Sequence, residues 1–255
     1  MIIKNIIRLP ILKRLIPSIF KKIILITGNF IKKKNIDGIT YLLDTRHLID
    51  RNFYLRENYE DNLFFSAKKL ITNNKINFFL DIGSCWGIYS LRLSKIKNLK
   101  ILSFDPVVKN IERLSEMIKI NNLKNIKIFN TALGSKKDKV KLYGDADFTP
   151  NYSIYEKKSK NVSISQIDKL DNILKIKKKT LYLKVDIEGH EYPFIIGAKK
   201  ILRNNNVILQ IELFKNNKVK VFKYLKKNKF NLIYSFKGDY IFSNFNIKKP
   251  PEFSS

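Results

Sequence analysis

From about residue 76 onward, short apolar runs alternate with helical stripes. Asn77–Ile82 is an apolar run ending in glycine, the pattern of a buried strand. Ile88–Lys95 reads as a helix and Lys100–Phe104 as a second strand. Lys109–Asn121 places Ile111, Leu114 and Ile118 on one helical face. Ile126–Phe129 is a third strand, and Lys139–Tyr143 a peripheral one. Thr180–Asp186, Tyr192–Leu202, Val207–Leu213 and Val219–Lys227 continue as strand, helix, strand, helix. Leu232–Phe236 and Tyr240–Ser243 predict a closing hairpin over Lys237-Gly238-Asp239. This alternation predicts an α/β fold, a mostly parallel sheet with helices on both faces and an antiparallel hairpin at its end. Gly144–Lys160, rich in Asp, Asn, Ser and Lys, is the least regular stretch. In such folds loops of this kind lie at the carboxyl ends of the strands, where ligands bind.

The first 34 residues follow another rule. Leu12, Leu15, Ile16, Ile19, Phe20, Ile23 and Ile24 recur at helical spacing, with Lys13, Arg14, Lys21 and Lys22 on the other side. The pattern predicts a basic amphipathic helical segment over 1–34, which Pro10 and Pro17 start or kink. Its uncharged runs fall short of the ~20 residues that cross a bilayer, and Ile23–Thr27 is too short for a signal-peptide core. Such a helix either lies in a membrane interface or packs on the domain it precedes. Residues 35–75 read as a helical lead-in with a helix at Tyr59–Leu70, 76–247 as the α/β domain, and 248–255 as a tail.

Composition narrows the chemistry. With 255 residues and 44% apolar content the chain can bury one sizeable core. A single cysteine, Cys85, excludes internal disulfides and Cys-based zinc clusters, and with only His47 and His190 a His-rich metal site has no ligands, so no metal is expected. These facts suit a reducing cytoplasm. Lys and Arg number 50 against 22 Asp and Glu, a formal net charge of +28. That balance suits nucleic acid or an anionic membrane. It also follows from a general enrichment in Lys, Ile and Asn with the lysines scattered, so charge alone does not choose a function.

The densest chemical signal is Asp81-Ile-Gly83-Ser84-Cys-Trp-Gly87, which closes a strand and opens a helix. Glycines here let the backbone turn sharply and approach a ligand, and the amides of the following helix face it. The spacing differs from the Gly-x-Gly-x-x-Gly of dinucleotide binders. Asp81 also opposes a pyrophosphate and suits a cationic moiety bearing ammonium and sulfonium. Trp86 either shields that pocket or packs in the core. One βα unit later, Ser103-Phe-Asp105-Pro ends the second strand with a carboxylate able to accept both ribose hydroxyls. A turn and a helix cap explain either motif alone; together, in order, they predict a nucleoside-cofactor site.

At this point the chain resembles the FkbM family of methyltransferases. The matching segments are Phe79–Leu91, Ser103–Asn110, Asn130–Gly134, Ser163–Leu170, Leu183–Leu202 and Leu209–Leu213, and the most distinctive is Lys-Val-Asp-Ile-Glu-Gly-His-Glu with Gly197-Ala198 downstream. The resemblance implies a Rossmann-like class I methyltransferase fold with a seven-stranded sheet, S-adenosylmethionine as methyl donor, and O-methylation of a small molecule or sugar. By that similarity Asp81, Gly83 and Gly87 line the methionine end, Asp105 the ribose, and Thr131-Ala132 the adenine. The family often has Glu where Asp105 stands, one methylene longer.

Asp186, Glu188, His190 and Glu191 cluster at the end of a strand facing the expected cofactor. A hydroxyl acceptor loses a proton during methyl transfer, and His190 has the side-chain type to take it at neutral pH. Glu188 and Asp186 are the candidates to orient it or hold the acceptor. The bland alternative is that Glu188-Gly189 merely caps the next helix. His47 and Glu60 read as structural or solvated. An exocyclic-amine nucleic-acid methylase would show Asp/Asn-Pro-Pro-aromatic where this chain has Asp-Ile-Glu-Gly, and a cytosine-C5 enzyme needs a nucleophilic cysteine outside the cofactor loop. The expected partner is therefore a small-molecule or glycan acceptor rather than nucleic acid. A membrane-associated, non-catalytic cofactor-binding protein is the remaining alternative. The oligomeric state is not encoded in these motifs.

Overall fold

A computed structural model describes residues 19, 22, 28, 30–56, 59–144, 152–155 and 161–250. The chain divides into two compact units, one ending at Phe65 and the other beginning at Ser66.

In the first unit, β1 (Ile31–Ile36) and β2 (Ile39–Asp44) form an antiparallel hairpin, followed by α1 (Leu48–Arg56). Residues 31–34 are therefore strand, not the end of a helical segment, and the lead-in is not wholly helical. The cause is local. Asp37 and Gly38 both adopt positive φ, at 53° and 76°, as a two-residue hairpin turn requires. Strict alternation then buries Ile39, Tyr41 and Leu43. The rest of the amphipathic pattern falls almost entirely outside the described residues. His47 lies 3.7 Å from Asp44, whose carboxylate also grips Arg46, and Glu60 is exposed. Helix α2 spans Asp61–Asn73.

The second unit is built on a seven-stranded sheet. Its strands are β3 (Phe78–Ile82), β4 (Lys100–Phe104), β5 (Ile126–Phe129), β10 (Thr180–Val185), β11 (Asn206–Glu212), β12 (Asn231–Phe236) and β13 (Asp239–Ser243), in the order β12-β13-β11-β10-β3-β4-β5. Only β13 runs against its neighbours. The chain winds outward from β3 through β4 to β5, then returns to β10 on the other side of β3. That reversal leaves a crevice at the carboxyl ends of β3 and β10.

Helices cover both faces. On one, Leu80, Ile82, Leu183, Val185 and Leu209 pack with residues of α6 (Glu191–Gly197), α7 (Lys199–Asn204) and α8 (Lys215–Lys227). On the other, α3 (Ile88–Leu93) meets Asp81 and Lys184 through Ser90 and Tyr89. Helix α4 (Val108–Ile120) sits against β5.

A second sheet, β6-β9-β7-β8, is formed by β6 (Ala132–Leu133), β7 (Asp138–Gly144), β8 (Tyr152–Ser153) and β9 (Asn161–Asp168), with α5 (Leu170–Ile173) after it. Strand β9 was not expected from the sequence, and β8 lies inside the stretch read as irregular. No helix among the described residues is long and apolar enough to cross a membrane.

Candidate active site

The glycine loop is fixed by backbone contacts from both neighbouring strands. The amides of Gly83 and Ser84 both donate to the Phe104 carbonyl at 3.0 Å. Gly83 has φ +78°, and a Cβ there would stand 1.8 Å from the carbonyl oxygen of Asp186. Only glycine allows β3 to turn against the end of β10 at this distance. Ser84 is buried, and its hydroxyl finds no hydrogen-bond partner among the described residues. A buried hydroxyl left unsatisfied calls for a polar ligand group. Trp86, 3% exposed, stacks under the Arg113 guanidinium at 4.2 Å, so it is a packing residue.

Asp81 stands behind the loop rather than in it. It is 1% exposed and accepts a 2.6 Å hydrogen bond from Ser90, whose hydroxyl also meets Ser103 at 2.7 Å. Burial raises its pKa, against the opposing pull of Lys184 and the Ser90 bond.

Asp105, 5% exposed, ends β4 and ties three segments together. One oxygen accepts the Cys85 amide at 2.8 Å; the other accepts the Val107 amide at 2.9 Å and the Asn110 side-chain amide at 3.0 Å. Burial lifts its pKa to about 7 despite these donors. Its carboxylate retains limited further acceptor capacity, since three of roughly four lone-pair sites are used. Asn130 donates to the Asp105 carbonyl at 3.0 Å, which joins the ends of β4 and β5. Thr131 and Ala132 follow β5, with the Thr131 hydroxyl held by the Ala132 and Gln166 carbonyls at 3.0 and 3.2 Å.

Across the crevice, β10 delivers Asp186 and the turn behind it. Glu188 and Gly189 both take positive φ, at 52° and 99°. The turn is braced by Glu191, fully buried, whose carboxylate accepts the Gly189 amide at 2.8 Å; Asn217 donates to the Gly189 carbonyl. Burial raises the Glu191 pKa. The capping work near this turn thus falls to Glu191, while the Glu188 carbonyl accepts the Ser153 hydroxyl at 3.2 Å. His190 Nδ1 lies 3.3 Å from the Tyr155 hydroxyl, and burial lowers its pKa below the usual histidine range. A Cβ on Gly134 would come within 2.9 Å of His190 Nε2, so a glycine there leaves that nitrogen clear.

Two residues outside the sequence-based set complete this side. Lys184, on the Asp186 side of β10, donates to the Asp186 carboxylate at 3.1 Å. Glu212 ends β11 directly after Ile211, the register partner of Val185, which sets it beside Asp186 on the neighbouring strand. Burial works to raise the Asp186 pKa, but Lys184 and Glu212 outweigh it and hold it below the carboxylate range. Burial and the charges of Asp186 and Asp239 push Glu212 up to about 8. The Leu-Gln-Ile-Glu-Leu segment marked the strand, but only the parallel register of β10 and β11 puts Glu212 beside Asp186.

A mostly parallel seven-stranded sheet with helices on both faces, a closing antiparallel hairpin and a carboxylate-lined crevice at its switch point is the class I methyltransferase-type α/β fold. Sequence comparison then settles the family: the model for the methyltransferase FkbM domain matches residues 81–232. The chain belongs to the FkbM family of methyltransferases. No curated protein matches it. Among solved structures, a methyltransferase FkbM from Methylobacillus flagellatus is similar at 14% identity and a TM-score of 0.51, over 75% of this chain and 52% of that one. This chain therefore spans about half the length of that relative. The N-terminal domain of human METTL16 in complex with SAH aligns at 13% identity and a TM-score of 0.47, over 90% and 83% of the two chains. M. jannaschii TYW2 in complex with AdoMet aligns at 11% identity and 0.45, over 84% of each.

Proposed function

We propose that the chain transfers the methyl group of S-adenosylmethionine to a hydroxyl on a small molecule, a sugar or a glycan precursor. The observation that carries this reading is the crevice between β3 and β10, which has the buried, unsatisfied Ser84 hydroxyl and the closely approaching Gly83 backbone on one wall and His190 on the other. The buried Ser84 hydroxyl and the contact of Gly83 with Asp186 fit a polar, closely held cofactor. When bound, S-adenosylmethionine supplies an electrophilic methyl on a cationic sulfur.

The residues have separate tasks. Gly83, Ser84 and Gly87 shape the methionine end, and Asp81 braces them from behind. Asp105 orients the loop and offers its remaining acceptor capacity to the ribose. Thr131 and Ala132 close the adenine end. On the other wall, His190 Nδ1–H donates to the Tyr155 oxygen, and Nε2 takes the proton of the acceptor hydroxyl. Because burial keeps the ring neutral, the base is ready at neutral pH. Glu188 and Asp186 hold the acceptor so that its oxygen lies in line with the methyl group.

Incubation with methyl-labelled cofactor and a cell extract tests the acceptor class. Label on oxygen in a small molecule or glycan is expected; label recovered in RNA or DNA overturns the reading. The location we infer is cytoplasmic, with the basic segment ahead of β1, residues 1–30, either meeting an anionic membrane or packing on the domain. Flotation with anionic liposomes should require that segment, and equal flotation without it contradicts the contact.

A further inference from the structure

Every strand of the large sheet except β13 begins at the end opposite the crevice, and β13 finishes there. The segments that form this end are residues 74–77, 94–99, 121–125, 174–179, 205, 228–230 and 244–250. Together they hold eleven lysines and no Asp, Glu or Arg. Across the whole chain 50 basic residues face 22 acidic ones, so general lysine enrichment does not account for an end without acids. Asparagine does the work that carboxylates often do in such turns. The Asn77 side chain accepts the Thr180 amide at 3.0 Å, Asn205 the Lys179 amide at 3.0 Å, and Asn244 the Val207 amide at 2.8 Å. Asn125 donates to the Ser94 and Leu99 carbonyls at 2.9 and 3.1 Å, and Asn74 exchanges two bonds with the Lys248 backbone. Neutral amides thus stitch neighbouring segments together without adding negative charge. Lys95, Lys97, Lys124, Lys177, Lys178 and Lys179 stand exposed on this frame. Among the described residues, none of the eleven lysines forms an ion pair with a carboxylate.

We propose that this lysine face docks the second unit on an anionic lipid bilayer, with the crevice turned to the water side. Each lysine held near such a surface strengthens binding by about fivefold. The composition of the face selects the partner. Nucleic acid is gripped by arginine forks and stacked on aromatic rings. These segments have no arginine, and their two aromatic residues are Phe230, buried, and Phe245, half-buried. Ammonium groups spread over one end of a sheet suit the diffuse field of lipid phosphates instead, which asks for charge and no fixed geometry. The crevice lies at the other ends of the same strands, so a docked chain keeps its ligand entrance open. The face is separate from the basic segment ahead of β1, and its role does not depend on the acceptor class.

Co-sedimentation of the full chain with vesicles tests this. Phosphatidylcholine vesicles with about one-third phosphatidylglycerol are compared with phosphatidylcholine alone, at about 0.1 M and 1 M salt, where the screening length falls from roughly 10 Å to 3 Å. The face variant carries Lys95→Glu, Lys97→Glu, Lys124→Glu and Lys177→Glu. A control of equal charge change carries Lys139→Glu, Lys141→Glu, Lys220→Glu and Lys223→Glu, at exposed positions elsewhere on the second unit. Residues 1–30 stay in place throughout, so whatever they contribute is common to all three chains. The native chain should bind the anionic vesicles at least about tenfold more tightly than the neutral ones, and lose that preference at high salt. The face variant should bind them about thirtyfold or more weakly, and the control within about threefold of native. Lys→Gln at the same four face positions should give a smaller loss, and supplies the comparison if the Glu variant folds poorly. Equal losses in face variant and control, or native binding indifferent to lipid charge, overturns the proposal. So does a chain that leaves the vesicles unbound, and polyuridylate RNA held by these same lysines would then assign the face to nucleic acid.

Discussion

The two walls of the crevice use the same residue type in opposite ways. On the β3–β4 wall, Asp81 and Asp105 are all but fully buried and their oxygens are taken up by Ser90, Cys85, Val107 and Asn110. On the β10–β11 wall, Asp186 and Glu212 are partly exposed; Lys184 donates to Asp186, and burial with the nearby Asp186 and Asp239 charges pushes Glu212 up to about 8. The first wall is wired before any ligand arrives, so its carboxylates fix the shape of a loop. On the second, Asp186 is held by the Lys184 ammonium, and both carboxyl groups stay partly open to solvent, so burial and neighbouring charge rather than a set of backbone donors govern them.

The largest effect should come from the contact that joins the walls. Gly83→Ala puts a methyl group into the Asp186 carbonyl, at a φ that L side chains rarely adopt. We expect a loss of about 3 kcal/mol or more of stability, seen as a fall in melting temperature together with loss of cofactor binding. A variant that melts and binds like wild type would break the picture of abutting walls.

Next is His190→Ala on the second wall. Methyl transfer should fall by about a hundredfold to a thousandfold, with S-adenosylmethionine affinity unchanged within about twofold. Because burial lowers the His190 pKa, the wild-type rate should stay level below the ordinary histidine range before it falls with acid. A rate that already drops near pH 7 would remove His190 as the base.

The third contrast is in pH and stability. Asp105 and Glu212 both have folded-state pKa values above the ordinary carboxylate range, near 7 and 8. Each therefore favours the native state most below about pH 4, where it is protonated in both states, and that advantage declines as pH rises toward 7 and 8. Thermal melts from pH 4 to 8 should show stability falling through this window. Asp105→Asn should remove its share of the fall between about pH 4 and 7, and Glu212→Gln its share between about pH 4 and 8. A profile that both substitutions leave unchanged would show that neither carboxyl is held as described.

The smallest effect should be Tyr155→Phe, which removes only the 3.3 Å contact to His190. We expect about a threefold to tenfold loss of transfer rate, from a hydrogen bond worth about 0.5–1.5 kcal/mol, with rescue of neither pH profile nor affinity needed. A loss as large as that of His190→Ala would make Tyr155 a direct participant.

How much of this was legible in the chain varies with the range of the interaction. The glycine loop, the carboxylate after β4 and the run of main-sheet strands β3, β4, β5, β10, β11, β12 and β13 along the chain were readable, because each depends on residues a few positions apart; their spatial order was not. The β1–β2 hairpin carried a readable signal too, Asp37-Gly38 between alternating residues, but the basic helical pattern upstream masked it. Strand β9 was obscure because its exposed face carries Val162 and Ile164, 53% and 71% exposed, which blurs the alternation. Lys184 and Glu212 could not be assigned roles from sequence, since a strand-interior lysine gives no hint of a partner and Glu212 meets Asp186 only through sheet register. Asp81 was legible as important but not as a brace, because the Ser90 bond that turns it away from the crevice depends on how α3 packs. The placement of residues 145–151 and 156–160, where acceptor-shaping side chains were expected, lies outside the described residues.

The central claim is that the crevice between β3 and β10 binds S-adenosylmethionine. Calorimetric titration of the full chain with that cofactor tests it most directly, with Asp105→Ala alongside, since Asp105 holds the loop through the Cys85 amide. Saturable one-to-one binding by the native chain, weakened by about tenfold or more in the variant, is the result expected. No binding by the native chain, or undiminished binding by Asp105→Ala, would contradict it.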